Sequence, residues 1–171
     1  FNRGVRPRIV YVDDECCGCW LQMLRTFWPD VAVKLDPMHA MKRLTETTAS
    51  TQHPDHGSFC TKLSNCIFKY DAKVMERISR AWSTEHGDIT LPPQVKRKYV
   101  PRIIPEPQVI VGAIEKLLEE FRARNHETQG MLLTIRTAEA WQLLRQHISK
   151  GCLSDPLDVR LNCAGPAVMI G

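Results

Sequence analysis

The sequence predicts a mainly helical α/β fold, in which a short βαβ unit precedes a run of helices. Two short apolar segments, residues 8–13 and 31–35, are rich in β-branched residues and are typical of strands. A helical pattern over residues 15–28 joins them, and this strand–helix–strand order implies parallel strands. We therefore divide the chain into an α/β part (1–47), a helical part (57–150) and an irregular tail (151–171).

Each predicted element has a recognisable start or stop. Asp14 is placed to cap the first helix, and Pro29 follows its end. Residues 38–47 form a second helical pattern before a polar loop at 45–57. The apolar faces of these two helices are predicted to contain Trp20, Leu21, Leu24, Phe27, Trp28, Met38, Met41 and Leu44.

The helical part contains four further patterns, at residues 58–69, 71–84, 107–125 and 131–149. Asp71 is a candidate N-cap, Pro107 suits a first helical turn, and Gly151 is expected to end the last helix. Five prolines between residues 87 and 107 exclude a long helix there. The buried stripe of the third pattern is predicted to include Val109, Ile110, Ile114, Leu117, Leu118 and Phe121.

Composition favours an intracellular protein without a membrane partner. The formal net charge is +4, and the sequence has neither a membrane-spanning apolar run nor a signal-peptide h-region. Seven cysteines without a secretion signal are expected to be reduced thiols. Because the chain begins at Phe1 without an initiator Met and ends in a ragged segment, we expect truncation at both ends.

Acidic residues follow both predicted strands. Asp13, Asp14 and Glu15 come after the first strand, and Asp36 follows the second. Ligands of parallel sheets bind beyond the carboxyl ends of the strands, and carboxylates suit Mg²⁺. The alternative is that Asp14 caps a helix while Asp13 and Asp36 are loop acids; the residues leave both interpretations open.

Basic residues lie in two places that suit phosphate contacts. His39, Lys42 and Arg43 follow Asp36 on the next helix, and a proline-bounded linker contains Lys96, Arg97, Lys98 and Arg102. The alternative, a solvated helix face and a solvated linker, is the more common explanation of such groups.

Zinc is predicted to be absent. The candidate ligands lack the paired C-x-x-C spacing of strong zinc motifs. Nucleotide-binding glycine loops, the G-x-S-x-G elbow and the H-E-x-x-H motif are also missing, which argues against those enzyme classes. The candidates weighed and set aside are Cys16, Cys17, Cys19, His53, His56, Cys60 and Cys66.

The segment with Val12-Asp13 and then Asp36-Pro37-Met38-His39 resembles the DDE transposases, which have an RNase H-like catalytic core with a helical insertion. The resemblance spans residues 8–155 in order and is specific across 8–47. It implies a partial RNase H-like unit, with Asp13 as the second catalytic acid and Asp13 and Asp36 as metal ligands. It also implies a Mg²⁺ or Mn²⁺ cofactor, a DNA partner and a nuclear location.

The same resemblance implies an incomplete active site. The first catalytic aspartate and the last catalytic glutamate have no secure counterpart between Phe1 and Gly171. We therefore expect a partial or domesticated transposase whose full-length relative cuts and joins DNA, and whose present chain is inactive alone. The alternative is a non-catalytic nucleic-acid or protein-binding module. A response-regulator-like domain is disfavoured because the βα alternation stops after two strands. Homo-oligomerisation is left open.

Overall fold

The computed structural model describes residues 6–87, 90–154 and 167–170, the last four by their backbone alone. Helices and strands together give a mixed α/β fold that is mainly helical. The strands are β1 (Ile9–Val12), β2 (Ala32–Leu35), β3 (Lys69–Tyr70), β4 (Arg102–Ile103) and β5 (Ala167–Ile170). The helices are α1 (Cys19–Phe27), α2 (Pro37–Thr45), α3 (His56–Ile67), α4 (Ala72–His86), α5 (Pro93–Tyr99), α6 (Pro107–Arg122) and α7 (Ile135–Ser149).

A three-stranded parallel sheet contains β1 at its centre. β2 pairs with one side of β1, with Ile9 opposite Ala32, and β5 pairs with the other side. The far edge of β2 contacts the chain that follows α7, because the Leu35 N–H donates to the Cys152 carbonyl at 2.8 Å. The predicted parallel arrangement of the first two strands is therefore present, and 167–170 form a strand where the sequence predicted an irregular tail.

Four helices pack in a ring beside this sheet: α2 contacts α3 and α7, and α6 contacts the same two helices. Phe59 of α3 and Phe121 of α6 meet edge to face at the centre, with ring centroids 5.3 Å apart. Both rings are fully buried, and they belong to one apolar cluster that also contains Val10 and Leu35 of the sheet.

The first helix differs from its prediction. It begins at Cys19 rather than at residue 15, because Glu15 has a positive φ of 42° and residues 15–18 form a turn. The N-cap is Gly18, so Asp14 does not cap this helix. Three residues that were predicted to lie on buried helix faces are exposed instead: Phe27, Met38 and Val109. In α1 the buried residue is Leu24.

Other boundaries follow their sequence signals. Asp71 caps α4, and its Oδ1 accepts from the backbone N–H groups of Lys73 and Val74. Pro107 occupies the first turn of α6. The proline-rich linker contains the short helix α5 and strand β4, which pairs antiparallel with β3. Among the described helices, none has the length and apolar character needed to cross a lipid bilayer.

Candidate functional site

Three cysteines and one histidine converge between the sheet and the end of α7. Their ligand atoms, the sulfurs of Cys16, Cys17 and Cys152 and a ring nitrogen of His147, all lie within 4.8 Å of one another. His147 Nδ1 is 3.4 Å from the Cys16 sulfur and 3.6 Å from the Cys17 sulfur. Cys16 and Cys152 are buried, whereas Cys17 is exposed.

A tight turn supplies the first two sulfurs. The Gly18 N–H donates to the Glu15 carbonyl at 2.8 Å, which leaves Cys16 and Cys17 as the two central residues of the turn. The positive φ of Glu15 directs the chain out of β1 and into this turn. Adjacent cysteines therefore both reach the same histidine, which they could not do from one face of a helix.

The end of α7 supplies the other two ligands. The Gly151 N–H donates to the Ile148 carbonyl at 2.8 Å, and the Cys152 N–H donates to the His147 carbonyl at 3.0 Å. This pair of bonds, with Gly151 at a φ of 76°, is a Schellman motif. The first and last residues of that motif normally make a side-chain contact, and here they are His147 and Cys152.

The pKa values of Cys16 and Cys152 are strongly shifted in opposite directions. The hydrogen bond with Cys16, together with the His147 imidazole, lowers the pKa of the Cys152 thiol. The same hydrogen bond, reinforced by burial, raises the pKa of Cys16. The cluster thus favours a thiolate on Cys152, and the thiolate is the form of cysteine that binds metals.

The cofactor expectation is wrong. The sequence led us to expect Mg²⁺ or Mn²⁺ and no zinc, but the cluster among the described residues whose geometry could hold a metal ion consists of thiols and an imidazole, which suit zinc. Cys16 and Cys17 were among the ligands weighed, whereas His147 and Cys152 were missed. The local signal was a histidine at a helix end, four residues before Gly151 and five before Cys152.

The other cysteine and histidine candidates lie outside this cluster. Cys19 bonds to the Glu15 carboxylate, and Cys60 contacts His56 on its own helix. Cys66 is buried in the apolar core, as its position on a helical stripe predicts. His53 accepts from the Asp55 N–H.

The strand-end acids are brought together by His39. Its Nδ1 lies 3.1 Å from Oδ1 of Asp13 and 3.1 Å from Oδ1 of Asp36. Asp36 is 3% exposed and also caps α2 by accepting from the His39 N–H at 2.9 Å. One ring nitrogen therefore faces both carboxylates. Arg43 donates to the Asp13 carbonyl at 3.0 Å, and Lys42 pairs with Glu46 on the outer side of α2.

The linker cations form a basic–aromatic patch with the β3–β4 pair. Lys96 Nζ lies 4.3 Å from the centroid of the Tyr70 ring, and the Arg102 guanidinium lies 5.3 Å from the same centroid. Lys98 Nζ is 5.0 Å from the centroid of the half-exposed Tyr99 ring. We define the basic–aromatic patch as Lys69, Tyr70, Lys96, Arg97, Lys98, Tyr99 and Arg102.

No family model matches this chain, and neither the curated proteins nor the solved structures contain a significant match.

Proposed function

We propose that this chain is a DNA-binding module and that the basic–aromatic patch is its contact surface. The observation that carries the proposal is the convergence of Lys96 and Arg102 on one ring, Tyr70. Three separate elements, α5, β3 and β4, contribute to this arrangement, so the charges lie on folded structure rather than on a solvated linker.

The chemistry of the patch fits a nucleic-acid strand. Lys69, Arg97, Lys98 and Arg102 are exposed, and cations in this density neutralise phosphates and release counterions. Tyr99 is 55% exposed, and bases stack on aromatic rings of this kind. An exposed tyrosine among cations therefore favours a partner that offers both phosphates and base faces.

We also propose that the α/β part derives from an RNase H-like core of the DDE transposase type. The support is the parallel pairing of β1 with β2 and the meeting of Asp13, His39 and Asp36 at the carboxyl end of the two strands. On this proposal the chain retains DNA binding and does not cleave DNA by itself, and its place of action is the nucleus.

Salt-dependent binding tests the proposal. We expect fluorescence anisotropy with labelled duplex and single-stranded DNA to show binding that weakens steeply as salt rises. The double variant Lys96→Ala with Arg102→Ala removes two cations of the patch, so the slope of log K against log salt should become shallower by about 1.4 to 1.8 if both contact phosphates. Tyr99→Ala should weaken single-strand binding by about 1–3 kcal/mol if one base stacks on it.

The matched control is Lys116→Ala with Arg122→Ala, which also removes two exposed cations, both from α6 and outside the patch. It should leave affinity and salt slope close to those of the unmodified chain. Absence of DNA binding at low salt would overturn the proposal and favour a protein-binding module. Equal losses in the control and in the patch variants would show that net charge, rather than the patch, drives binding.

A further inference from the structure

We propose that Cys16, Cys17, His147 and Cys152 bind one Zn²⁺ ion in a structural site. Three thiolates and one imidazole form one of the standard ligand sets of structural zinc. The proposal is independent of DNA binding, because the thiols belong to the β1–α1 turn and the end of α7 rather than to the basic–aromatic patch.

The interatomic distances match a tetrahedral zinc site. With Zn–S of about 2.3 Å and Zn–N of about 2.0–2.1 Å, a tetrahedron places sulfur and nitrogen ligands about 3.6 Å apart. The observed separations between the His147 Nδ1 and the two sulfurs are 3.4 Å for Cys16 and 3.6 Å for Cys17. The remaining ligand pairs lie within 4.8 Å of one another, so a side-chain adjustment of about 1 Å or less would bring them to tetrahedral separations.

The ligand count makes the proposed site structural rather than catalytic. Four protein ligands complete the preferred coordination of zinc, so no position remains for water or substrate. Cys16 and Cys152 are buried at 2% and 6% exposure, which shields the sulfurs from solvent. Cys17 covers the outer side.

The ion would join two distant parts of the chain. Cys16 and His147 are separated by 131 residues, and no disulfide links the described cysteines. Zinc would fix the turn after β1 to the Schellman motif of α7, beside the hydrogen bond between Leu35 and Cys152. It would also fix the segment that follows Asp13. This would help to hold the carboxyl end of β1, where Asp13 meets His39.

Metal content of the reduced, purified chain is the first test. We expect about one zinc ion per chain by elemental analysis. After chelation, Co²⁺ should produce the visible absorption of a tetrahedral thiolate site, and added Zn²⁺ should displace it. Zinc addition to the chelated chain should raise the melting temperature, because an ion that binds only the folded state stabilises it.

Two serine substitutions make a matched pair. Cys17→Ser removes an exposed ligand and should lower zinc affinity by at least about tenfold without preventing folding. Cys19→Ser changes an equally exposed thiol two residues away that bonds Glu15, and it should bind zinc as the unmodified chain does.

Several outcomes would overturn the proposal. These are a reduced chain that neither contains zinc nor gives the Co²⁺ spectrum, a Cys17→Ser variant with unchanged zinc affinity, or equal losses in both variants. A mass decrease of two hydrogens that appears when the metal-free chain is exposed to air, and that added reductant reverses, would identify a redox-active disulfide pair instead.

Discussion

Two backbone conformations decide where the sulfur atoms of the thiol–imidazole cluster lie. Glu15 is the residue other than glycine that has a positive φ in the described part of the chain, and it precedes the two adjacent cysteines. Gly151 has a φ of 76° and precedes Cys152. A positive φ is costly for Glu15, which has a Cβ, and costs little for glycine at 151. Both positions turn the chain toward the cluster.

Replacement of Gly151 by alanine should destabilise the fold. A Cβ at this φ costs about 1–2 kcal/mol, although the space is adequate, since the nearest atom outside its chain neighbours is the Ser154 Oγ at 3.4 Å. Urea unfolding measures the loss. Gly112→Ala is the control: its added Cβ meets nothing within 4 Å in the middle of α6, so we expect it to stabilise by about 0.5–1 kcal/mol. A neutral Gly151→Ala variant would contradict this account of the turn.

Residue-level sequence signals brought two of the four ligands into consideration, but the spacing test then set them aside. The doublet Cys16-Cys17 was visible as a ligand candidate, but its partners are more than a hundred residues away. Zinc motifs are recognised by short paired spacings between ligands. Here Cys16 and Cys17 are adjacent, whereas the turn that ends α7 separates His147 from Cys152. The positive φ of Glu15 has no sequence signature, because glutamate rarely adopts it.

At the scale of elements, helix caps explain several boundaries. Asp36 caps α2 and Asp71 caps α4, and each carboxylate accepts from a backbone N–H of the first turn. Thr134 caps α7 in a reciprocal pair with Thr137, whose hydroxyl also donates to the Thr47 carbonyl at 2.8 Å. That second bond joins α7 to the turn that follows α2, so the cap also helps to hold the two helices together.

The two aspartate caps should differ in their contributions to stability. Asp71→Ala is expected to cost about 1 kcal/mol, the usual loss for an N-cap. Asp36→Ala should cost more, because Asp36 is 3% exposed and its Oδ1 also lies 3.1 Å from Nδ1 of the His39 ring. Thermal or urea unfolding of both variants measures the difference. Asp36→Asn keeps the capping oxygen, so it should recover part of the loss. A larger loss at Asp71 than at Asp36 would contradict this ranking.

Prediction of the helices succeeded where the spacing of apolar residues agreed with residues that start or end helices. The helical patterns near α3, α4, α6 and α7 are present with their ends shifted by a few residues, and Pro107 and Gly151 mark the ends that sequence reasoning gave them. The failure at α1 has a physical cause. An amphipathic pattern does not show where a helix begins, and a turn in residues 15–18 replaces its predicted first turn.

On the scale of the whole molecule, one apolar cluster runs from the sheet through the helical ring. It contains Val10 and Val33 from the strands and Phe59, Ile114 and Leu144 from three helices. The division at residues 47 and 57 stays a prediction, but shared core residues favour joint unfolding of both parts. Sequence periodicity identifies the apolar face of each helix. It does not show which helices contact one another, so the ring of four helices could not be predicted from the sequence.

Phe121→Ala should therefore destabilise both parts together. Loss of this fully buried ring removes its edge-to-face contact with Phe59 and leaves a cavity. The free energy of unfolding should fall by about 3–5 kcal/mol. Hydrogen exchange should show amides of β1 and α6 losing protection to a similar extent. Phe121→Leu, which refills part of the space, should cost less. Unchanged protection in β1 alongside lost protection in α6 would indicate two independent units.

The central position of β1 has a consequence for the order of folding. Its partner β2 lies close in sequence, whereas β5 pairs with Ile9 through Ala167. During synthesis, the second edge of β1 therefore stays without its strand partner until nearly the whole chain described here has been made. Open strand edges template pairing with other chains, so this interval is when aggregation is most favourable. A chaperone that shields β1 would act in this interval, between the appearance of α1 and the arrival of β5.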